Sequence, residues 1–321
     1  MRTTGADTNV EELEDDGHMD AEQGSSTRAI LYALLANFGI AVTKTGAAAY
    51  TNSGSLLAEA IHSYADCANQ LLLFLGLKQS ARPATATHPL GFGKATYFWS
   101  FVVALLLFSF GGLFSIYEGW HKLHRPEPLH QAWVALLVLG VAIVLEAGSL
   151  AGALREIGKI RGGRTFGKWL RHTRNAELVV VLGEDIAALT GLVVAMAFVS
   201  MAAVTGDTRW DAAGSIVIGI VLIVVAGFIA VRIQTLLIGK SAEPRLEQSI
   251  RDAIERDPAI EELFNTITLQ MGARVFLAVK VRMQAGISIE EAVAHINELE
   301  AEIRRLHPEV GWCFVEPDIA D

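Results

Sequence analysis

Six long apolar segments constrain what this 321-residue chain can fold into more than any other feature of its sequence. A helix needs about 20 predominantly apolar residues to cross the hydrocarbon core of a bilayer, and every segment is long enough. The segments are residues 29–50, 54–77, 95–117, 131–154, 178–205 and 212–238. They predict a membrane domain of six transmembrane helices. Because six crossings return the chain to its starting side, both ends are expected on one side.

Composition and charge indicate a membrane domain with aqueous ends. Hydrophobic residues make up 52% of the chain and charged residues 19%, whereas soluble proteins carry about 25% charged residues. Residues 1–27 hold eight acids and one base, residues 28–239 eleven acids and sixteen bases, and residues 240–321 sixteen acids and nine bases. We therefore predict a disordered acidic tail, a transmembrane domain and a C-terminal domain with these boundaries. Neither end carries a basic face, which disfavours nucleic-acid binding.

The basic residues of the loops predict the orientation in the membrane. The loop after the fourth segment holds seven Lys and Arg residues against two acids, and the loop after the second holds three and no acid. The other three loops share three basic residues. Because cytoplasmic loops carry the excess of Lys and Arg, both termini are predicted to be cytoplasmic. Because no basic region followed by an apolar run and a cleavage site precedes the first segment, we expect no secretory signal peptide. We expect a multi-pass protein of the cell's inner (plasma) membrane.

The C-terminal domain shows the periodicities of a small cytoplasmic α+β unit. Residues 244–256 and 292–306 place apolar residues at helical spacing, whereas residues 275–281 alternate as in a half-buried strand. Further strands are indicated near 267–269 and at 311–316. The order predicts an αββαβ, ferredoxin-like fold with its helices on one face of the sheet. About 80 residues form a marginally stable domain, so dimerisation with a second copy is expected.

The second apolar segment carries several polar and ionisable residues at membrane depth. An ionisable side chain at the bilayer centre costs about 2.5–3.5 kcal/mol on insertion scales, so it usually faces a cavity or a partner. Spacings of three and four place these residues along one helical face. They are Glu59, His62, Asp66 and Asn69. His62 and Asp66 can meet one ion from the same side, and the fifth segment adds Glu184 and Asp185. An imidazole with carboxylates suits Zn²⁺ and similar ions, whereas an all-oxygen set would suit Mg²⁺, Ca²⁺ or Mn²⁺.

Other interpretations of these charges are open. A lone buried His–Asp pair is often only a structural hydrogen bond, but several acids with a His on two helices favour a cation site. Lys44 of the first segment could neutralise one of the acids, or its side chain could extend towards the interface or a helix end. Glu146 of the fourth segment could face a cavity or pair with Arg155 near the cytoplasmic rim.

Two motifs resemble the cation diffusion facilitator family. They are Leu57–Asp66 (LAEAIHSYAD) and His88–Lys94 (HPLGFGK), and the six spans with an α+β domain extend the resemblance over residues 28–321. Leu182–Leu189 (LGEDIAAL) and residues 118–128 are most similar to the branch that contains zinc transporter nine. The resemblance implies a homodimeric carrier, not an enzyme and without a resident cofactor, that exports divalent metal ions from the cytoplasm in exchange for protons.

The resemblance also implies a set of metal ligands. The family's tetrahedral transport site uses HxxxD or DxxxD on the second span and HxxxD on the fifth. The corresponding residues are His62, Asp66 and Asp185, and the fifth-span His position falls on Val181, which cannot bind metal. Water, Glu184 or Asn69 could complete the shell. Glu184 lies about 100° from Asp185 around the helix, so its participation is expected to need a bend or rotation.

Accessory sites match the family less well. Glu59 and Glu146 are candidates for accessory binding or proton relay, beside Glu184 and Asn69. His88 is kept in the loop after the second span, but Phe92 stands where a second His would be. In the C-terminal domain His295 matches a ligand position, whereas Lys280 and Phe314 replace two others. Because Lys repels cations, a binuclear zinc site is not expected there, and His295 fits a surface or interface position better.

Three rival functions are weighed against Zn²⁺ export. The same carrier could transport Mn²⁺, Fe²⁺, Co²⁺ or Ni²⁺. Loss of one imidazole leaves a ligand set with a larger share of hard oxygen donors, which is less selective for Zn²⁺. A non-transporting membrane interaction protein is supported only by the missing ligand. A membrane-embedded enzyme is disfavoured, since neither a nucleophile–base pair nor a zincin motif is present.

Overall fold

The computed structural model describes residue 34 and residues 37–125 and 128–320 of the chain. The predicted disordered tail, residues 1–27, lies outside the described residues. What is described is a bundle of long helices followed by a small three-stranded sheet. This is the predicted fold class, a helical membrane domain with a C-terminal α+β domain.

Six helices occupy the six predicted membrane segments within the described residues. They are α1 (37–51), α2 (Gly54–Ser80), α3 (Ala95–His124), α4 (Ala132–Ile160), α6 (Ala176–Thr205) and α7 (Arg209–Ile238). Among the described helices, α3, α4, α6 and α7 are long and apolar enough to span a membrane by length and composition alone. With 27 residues, α2 extends about 40 Å, which is also sufficient, but its polar residues lower its mean hydropathy. The chain is a multi-pass membrane protein.

A short helix that the sequence did not indicate, α5 (Phe166–His172), lies in the basic loop between α4 and α6. Its Trp169 is 1% exposed and packs with Ile157 and Leu182. Burial of a large aromatic side chain is strongly stabilising. Burial of the Trp169 side chain therefore helps to order this loop, although most of its residues are polar.

The middle of α3 is a π-helical segment, Leu107–Leu113, which the apolar periodicity did not predict. A side chain at Gly112 or Gly119 would collide with α7. Glycines at such positions let two membrane helices approach closely. Gly111 of the same segment lies beside the His62 ring, since a Cβ there would be 3.9 Å from His62 Nδ1. The π-helical segment therefore forms part of the wall around His62.

The N-terminus of α2 is fixed by Asp211, the third residue of α7. The Asp211 side chain accepts hydrogen bonds from Ser53 Oγ (2.7 Å) and from the backbone N–H groups of Gly54 and Ser55. Asp211 is 2% exposed. A carboxylate at a helix N-terminus satisfies otherwise unpaired N–H groups and interacts favourably with the helix dipole. This contact fixes the position of α2 relative to α7. The α2 helix carries Glu59, His62, Asp66 and Asn69.

The C-terminal domain has the predicted αββαβ order. Its elements are α8 (Pro244–Ile254), β1 (Ile260–Met271), β2 (Arg274–Met283), α9 (Ile289–Leu306) and β3 (Val310–Pro317). The strand order is β1-β2-β3, with β1 antiparallel and β3 parallel to β2. The alternation at 275–281 is confirmed, because Val275, Leu277, Val279 and Val281 are buried. Leu277, Val279 and Val281 pack on apolar residues of α8 and α9.

Polar contacts attach the C-terminal domain to the membrane bundle, among them an ion pair between Arg164 and Glu243. The Arg174 guanidinium, just before α6, donates hydrogen bonds to the carbonyl oxygens of Ser241 (2.7 Å) and Ala242 (3.1 Å). Tyr97 of α3 accepts a hydrogen bond from the Gly272 N–H at 3.0 Å. The domain therefore lies at the end of the bundle that carries the basic loops.

Candidate metal site

A cavity of about 110 Å³ lies inside the bundle, between α1, α2, α4 and α6. Four carboxyl groups of the described residues line it. They are Asp66 of α2, Glu146 of α4, and Glu184 and Asp185 of α6. Ser63, Gln70 and Ser149 add uncharged polar groups. Carboxylates and hydroxyls converging from three helices at membrane depth are the ligand types that divalent cations bind.

Two of the three residues assigned as ligands meet in this cavity, and the third does not reach it. Asp66 and Asp185 both line the cavity. His62 is fully buried one turn away on α2, with its Nε2 3.6 Å from Asp66 Oδ2. Nowhere in the described ranges do three His, Cys, Asp or Glu side chains come close enough to hold one ion. Joint coordination by His62, Asp66 and Asp185 would therefore require side-chain movement.

Several buried polar atoms at this site lack partners. No described residue makes a hydrogen bond with Asp66 Oδ1, Asp185 Oδ2 or either ring nitrogen of His62. More than about 90% of buried polar groups in proteins are satisfied, so such a cluster needs an explanation. A bound cation would satisfy the carboxylate oxygens and one imidazole nitrogen. The chemistry of the donor set thus fits a metal substrate.

Glu184 lines the cavity together with Asp185, although the two residues lie about 100° apart around α6. Glu184 Oε1 accepts a hydrogen bond of 2.6 Å from Asn69 Nδ2 of α2. Glu184 is 7% exposed and Asn69 is fully buried. The angle between two residues around one helix axis does not determine which neighbouring helix packs against each of them. Here α2 lies beside α6 and supplies a partner that directs Glu184 inwards.

The structure distinguishes between the interpretations of Glu146 and Lys44. Glu146 lines the cavity, as the first interpretation of that residue required. Lys44 is 1% exposed, and its Nζ lies 3.5 Å from Glu59 Oε2 and 2.8 Å from Ser63 Oγ. Lys44 therefore neutralises an acid of α2 and does not extend to the interface. Glu59 is fully buried outside the lining of the small cavity.

Ser63 is a cavity-lining residue that the sequence did not single out. It lies next to His62 in the chain, lines the cavity and accepts the hydrogen bond from Lys44. Its position inside the HxxxD motif, at one of the unspecified residues, gave no separate signal, because serine is common in membrane helices, where it packs closely and hydrogen-bonds between helices.

The accessory histidines lie in different settings. His88 stacks on Phe92, with ring centroids 4.4 Å apart, and its Nδ1 lies 3.1 Å from Thr87 Oγ1. His295 is half-buried on α9. At the position of a family ligand, Lys280 Nζ pairs with Asp318 Oδ2 at 2.8 Å. These contacts agree with the weak match of the accessory sites.

The cysteine of the C-terminal domain is also unsuited to metal binding. Cys313 is 3% exposed, and burial raises the pKa of its thiol to about 12. The thiolate is the metal-binding form of cysteine, so at neutral pH this group stays protonated. Cys313 instead packs in the apolar core of the domain.

We expect the isolated C-terminal domain, residues 240–321, to fold and dimerise weakly without tightly bound zinc. Its apolar core is complete, whereas Lys280 and Phe314 occupy ligand positions. Sedimentation at several concentrations would measure the dimer, and calorimetric titration would measure zinc binding, with His295→Ala as the matched control. Stoichiometric zinc binding with nanomolar affinity, or a strict metal requirement for folding, would contradict this prediction.

Comparison with known proteins gives one family match and several relatives. The family described as the cation efflux transmembrane domain matches residues 30–237. A proton-coupled zinc antiporter of Xenopus laevis, SLC30A9, named as mitochondrial, is 33% identical over 255 residues, 79% of this chain and 45% of the relative. Metal tolerance protein C4 of Arabidopsis thaliana is 32% identical over 75% of this chain and 53% of the relative.

A bacterial relative matches over a larger share of its own length. The cation-efflux pump FieF of Klebsiella pneumoniae is 24% identical over 263 residues, 81% of each chain. By contrast, the chain spans about half the length of the frog and plant relatives. The matched region in all three includes most of the membrane bundle described above.

Proposed function

The chain belongs to the cation diffusion facilitator family, a family of transporters, and on this premise we propose that it carries Zn²⁺ across the membrane in exchange for protons. One observation supports this most strongly. The unpartnered carboxylate oxygens of Asp66 and Asp185 belong to side chains that line one small cavity at membrane depth. The relatives' names, a proton-coupled zinc antiporter among them, agree with this substrate.

In this proposal Asp66 and Asp185 supply the negative charge that balances a divalent ion. His62 supplies a borderline ligand that favours Zn²⁺, and it reaches the ion by rotating past Asp66. Glu184 and Glu146 are the carboxyl groups that can complete the shell, because both line the same cavity. The carboxyl groups are assigned from their positions in the cavity lining, and His62 is assigned from the family resemblance and its contact with Asp66.

Exchange for protons follows from the chemistry of these ligands. Carboxylates and a neutral imidazole must lose their protons before they bind a metal ion. Protons and the metal ion therefore compete for the same oxygen and nitrogen atoms. Metal loading should expel protons, and protonation from the opposite side should promote release.

The proposed carrier is a homodimer in the inner (plasma) membrane with both termini cytoplasmic. The basic loops and the C-terminal domain lie at the same end of the bundle, and the Lys and Arg bias predicts that this end faces the cytoplasm. Export from the cytoplasm then means transport away from the C-terminal domain.

Val181 favours a second candidate substrate class. This residue lines the cavity where the family has a histidine, and its side chain offers no ligand. A site with one imidazole and several carboxylates is harder than one with two imidazoles, so Mn²⁺, Fe²⁺, Co²⁺ or Ni²⁺ is the alternative cargo.

Uptake measurements on the purified chain in liposomes test the function and its alternatives. We expect Zn²⁺ uptake with a counterflow of protons, measured with fluorescent indicators at two pH values and compared with protein-free liposomes. Faster uptake of Mn²⁺ or another ion would assign the cargo to the second class. If none of the metals moves, the carrier proposal is wrong and a non-transporting membrane protein is supported.

A further inference from the structure

A fully buried ion pair joins α1 to α2 beside the metal cavity. Lys44 Nζ lies 3.5 Å from Glu59 Oε2, and the two side chains are 1% and 0% exposed. Within a bilayer such charges are costly even when they are paired. The family's metal ligands do not include either residue, so the pair requires its own explanation.

The surrounding helices accommodate this pair closely. A Cβ added at Gly191 of α6 would overlap Glu59 Oε1, so α6 makes room for the carboxylate where it passes. None of the described residues donates a hydrogen bond to that oxygen. A pair that served stability alone would have each oxygen satisfied. Glu59 instead has one oxygen bound to Lys44 and one facing α6 without a partner.

Lys44 also contacts the metal cavity through Ser63. Its Nζ donates a hydrogen bond of 2.8 Å to Ser63 Oγ, and Ser63 lines the cavity. Glu59 precedes His62 by three residues and Asp66 by seven, which correspond to about 4.5 and 10 Å along α2. A fixed ammonium group therefore lies at the wall of a cavity that contains four carboxyl groups, with its counter-charge directed away.

Charges at these distances affect a divalent ion strongly. Two unit charges 10 Å apart at an effective dielectric constant near 20 interact with an energy equivalent to about tenfold in affinity, and the effect is larger for a divalent ion. Lys44 alone would repel the metal, and Glu59 alone would attract it. Together they largely cancel, so each residue masks the effect of the other.

We propose that Lys44 and Glu59 form a built-in charge balance that sets the metal affinity of the cavity. Lys44 offsets the attraction of Glu59 for the metal, which keeps binding weak enough for release, and Glu59 holds Lys44 in place and offsets its repulsion. Neither residue is a ligand; both are positioning residues that act through the electrostatic potential of the site. This inference rests on the proposed function, since it requires the cavity to bind the metal substrate.

Metal titration of the full-length chain and its variants tests the proposal through opposite signs. With Zn²⁺ at fixed pH and salt, Lys44→Met should lower Kd by about tenfold or more, because Glu59 is left as an uncompensated negative charge. Glu59→Gln should raise Kd by about tenfold or more, because Lys44 is left uncompensated. Combining the two substitutions should reverse both shifts. Lys44→Gln also removes the positive charge but keeps hydrogen-bonding groups, so it should lower Kd as well, with less disturbance of the local contacts.

The controls separate this inference from a structural role and from the proposed function. Thr45→Val, the adjacent α1 position, should leave Kd unchanged. Shifts of equal sign in both single variants, or no shift in either, would overturn the charge balance. The charge balance would also be overturned if every single variant failed to fold while the double variant folded, since the pair would then act through stability. If Asp66→Ala retains wild-type Zn²⁺ affinity, the proposed function fails instead.

Discussion

Asp66→Ala and Asp185→Ala should each reduce Zn²⁺ transport in liposomes by more than about 100-fold while leaving the protein folded and inserted. Loss of a residue that only orients a metal ligand costs about 10–100-fold in affinity or activity, so loss of a ligand should cost more. Each substitution removes one of the carboxyl groups that line the cavity. Metal uptake into liposomes containing equal amounts of each purified variant measures the effect.

Folding should survive these substitutions because each one removes a carboxyl group that is only partly hydrogen-bonded. In the described residues Asp66 Oδ1 and Asp185 Oδ2 have no hydrogen-bond partner. Removing an acid from membrane depth also removes an insertion cost of about 2.5–3.5 kcal/mol. Cys67→Ala is the matched control, because Cys67 is the next residue of α2 and is buried outside the cavity lining. Transport at the wild-type rate by either well-expressed aspartate variant would refute the assigned site.

The fold was predictable to the extent that one periodicity determined each element. The alternation of Val275, Leu277, Val279 and Val281 predicted a strand because every second residue faces the same core. The apolar segments likewise predicted the membrane helices. The π-helical segment Leu107–Leu113 was missed, because it depends on close packing between α3 and α7 and not on the pattern within α3.

The site was predictable along each helix but not between helices. The spacing of Val181 and Asp185 correctly placed both on the cavity. The side-chain position of Glu184 depends on Asn69, and that of Lys44 depends on Glu59. Both partners belong to α2, so the spacing of residues within α6 or α1 could not reveal these contacts. His62 and Asp66 share a helical face, yet only Asp66 lines the cavity. Which neighbouring helix covers a given side chain is decided by tertiary packing.

Val181→His should raise the affinity for Zn²⁺ by about tenfold and increase selectivity over Mn²⁺. Val181 lines the cavity with Asp185, and residues four apart on a helix have Cβ atoms about 5–6 Å apart. An imidazole at position 181 would therefore complete a shell of two histidines and two aspartates. Imidazole raises affinity for Zn²⁺ more than for Mn²⁺, following the order of metal–ligand affinity.

The gain in affinity should come with a cost in turnover. The added imidazole loses hydration on entering the site, and a tighter site releases its ion more slowly. We therefore expect transport of Zn²⁺ at saturating concentration to stay the same or fall, while half-saturation moves to lower concentration. This combination distinguishes a new ligand from a general improvement in folding or expression.

Matched titrations with Zn²⁺ and Mn²⁺ at fixed pH measure the change, with Val181→Phe as the control. Phenylalanine adds a ring of similar size without a nitrogen, so it reproduces the filling of the 110 Å³ cavity but not the coordination. Only the histidine variant should change the ratio of the two affinities. An unchanged ratio in Val181→His would show that position 181 does not face the bound ion. It would also assign the fourth ligand to a group already in the cavity, with Glu184 the nearest in the chain to Asp185.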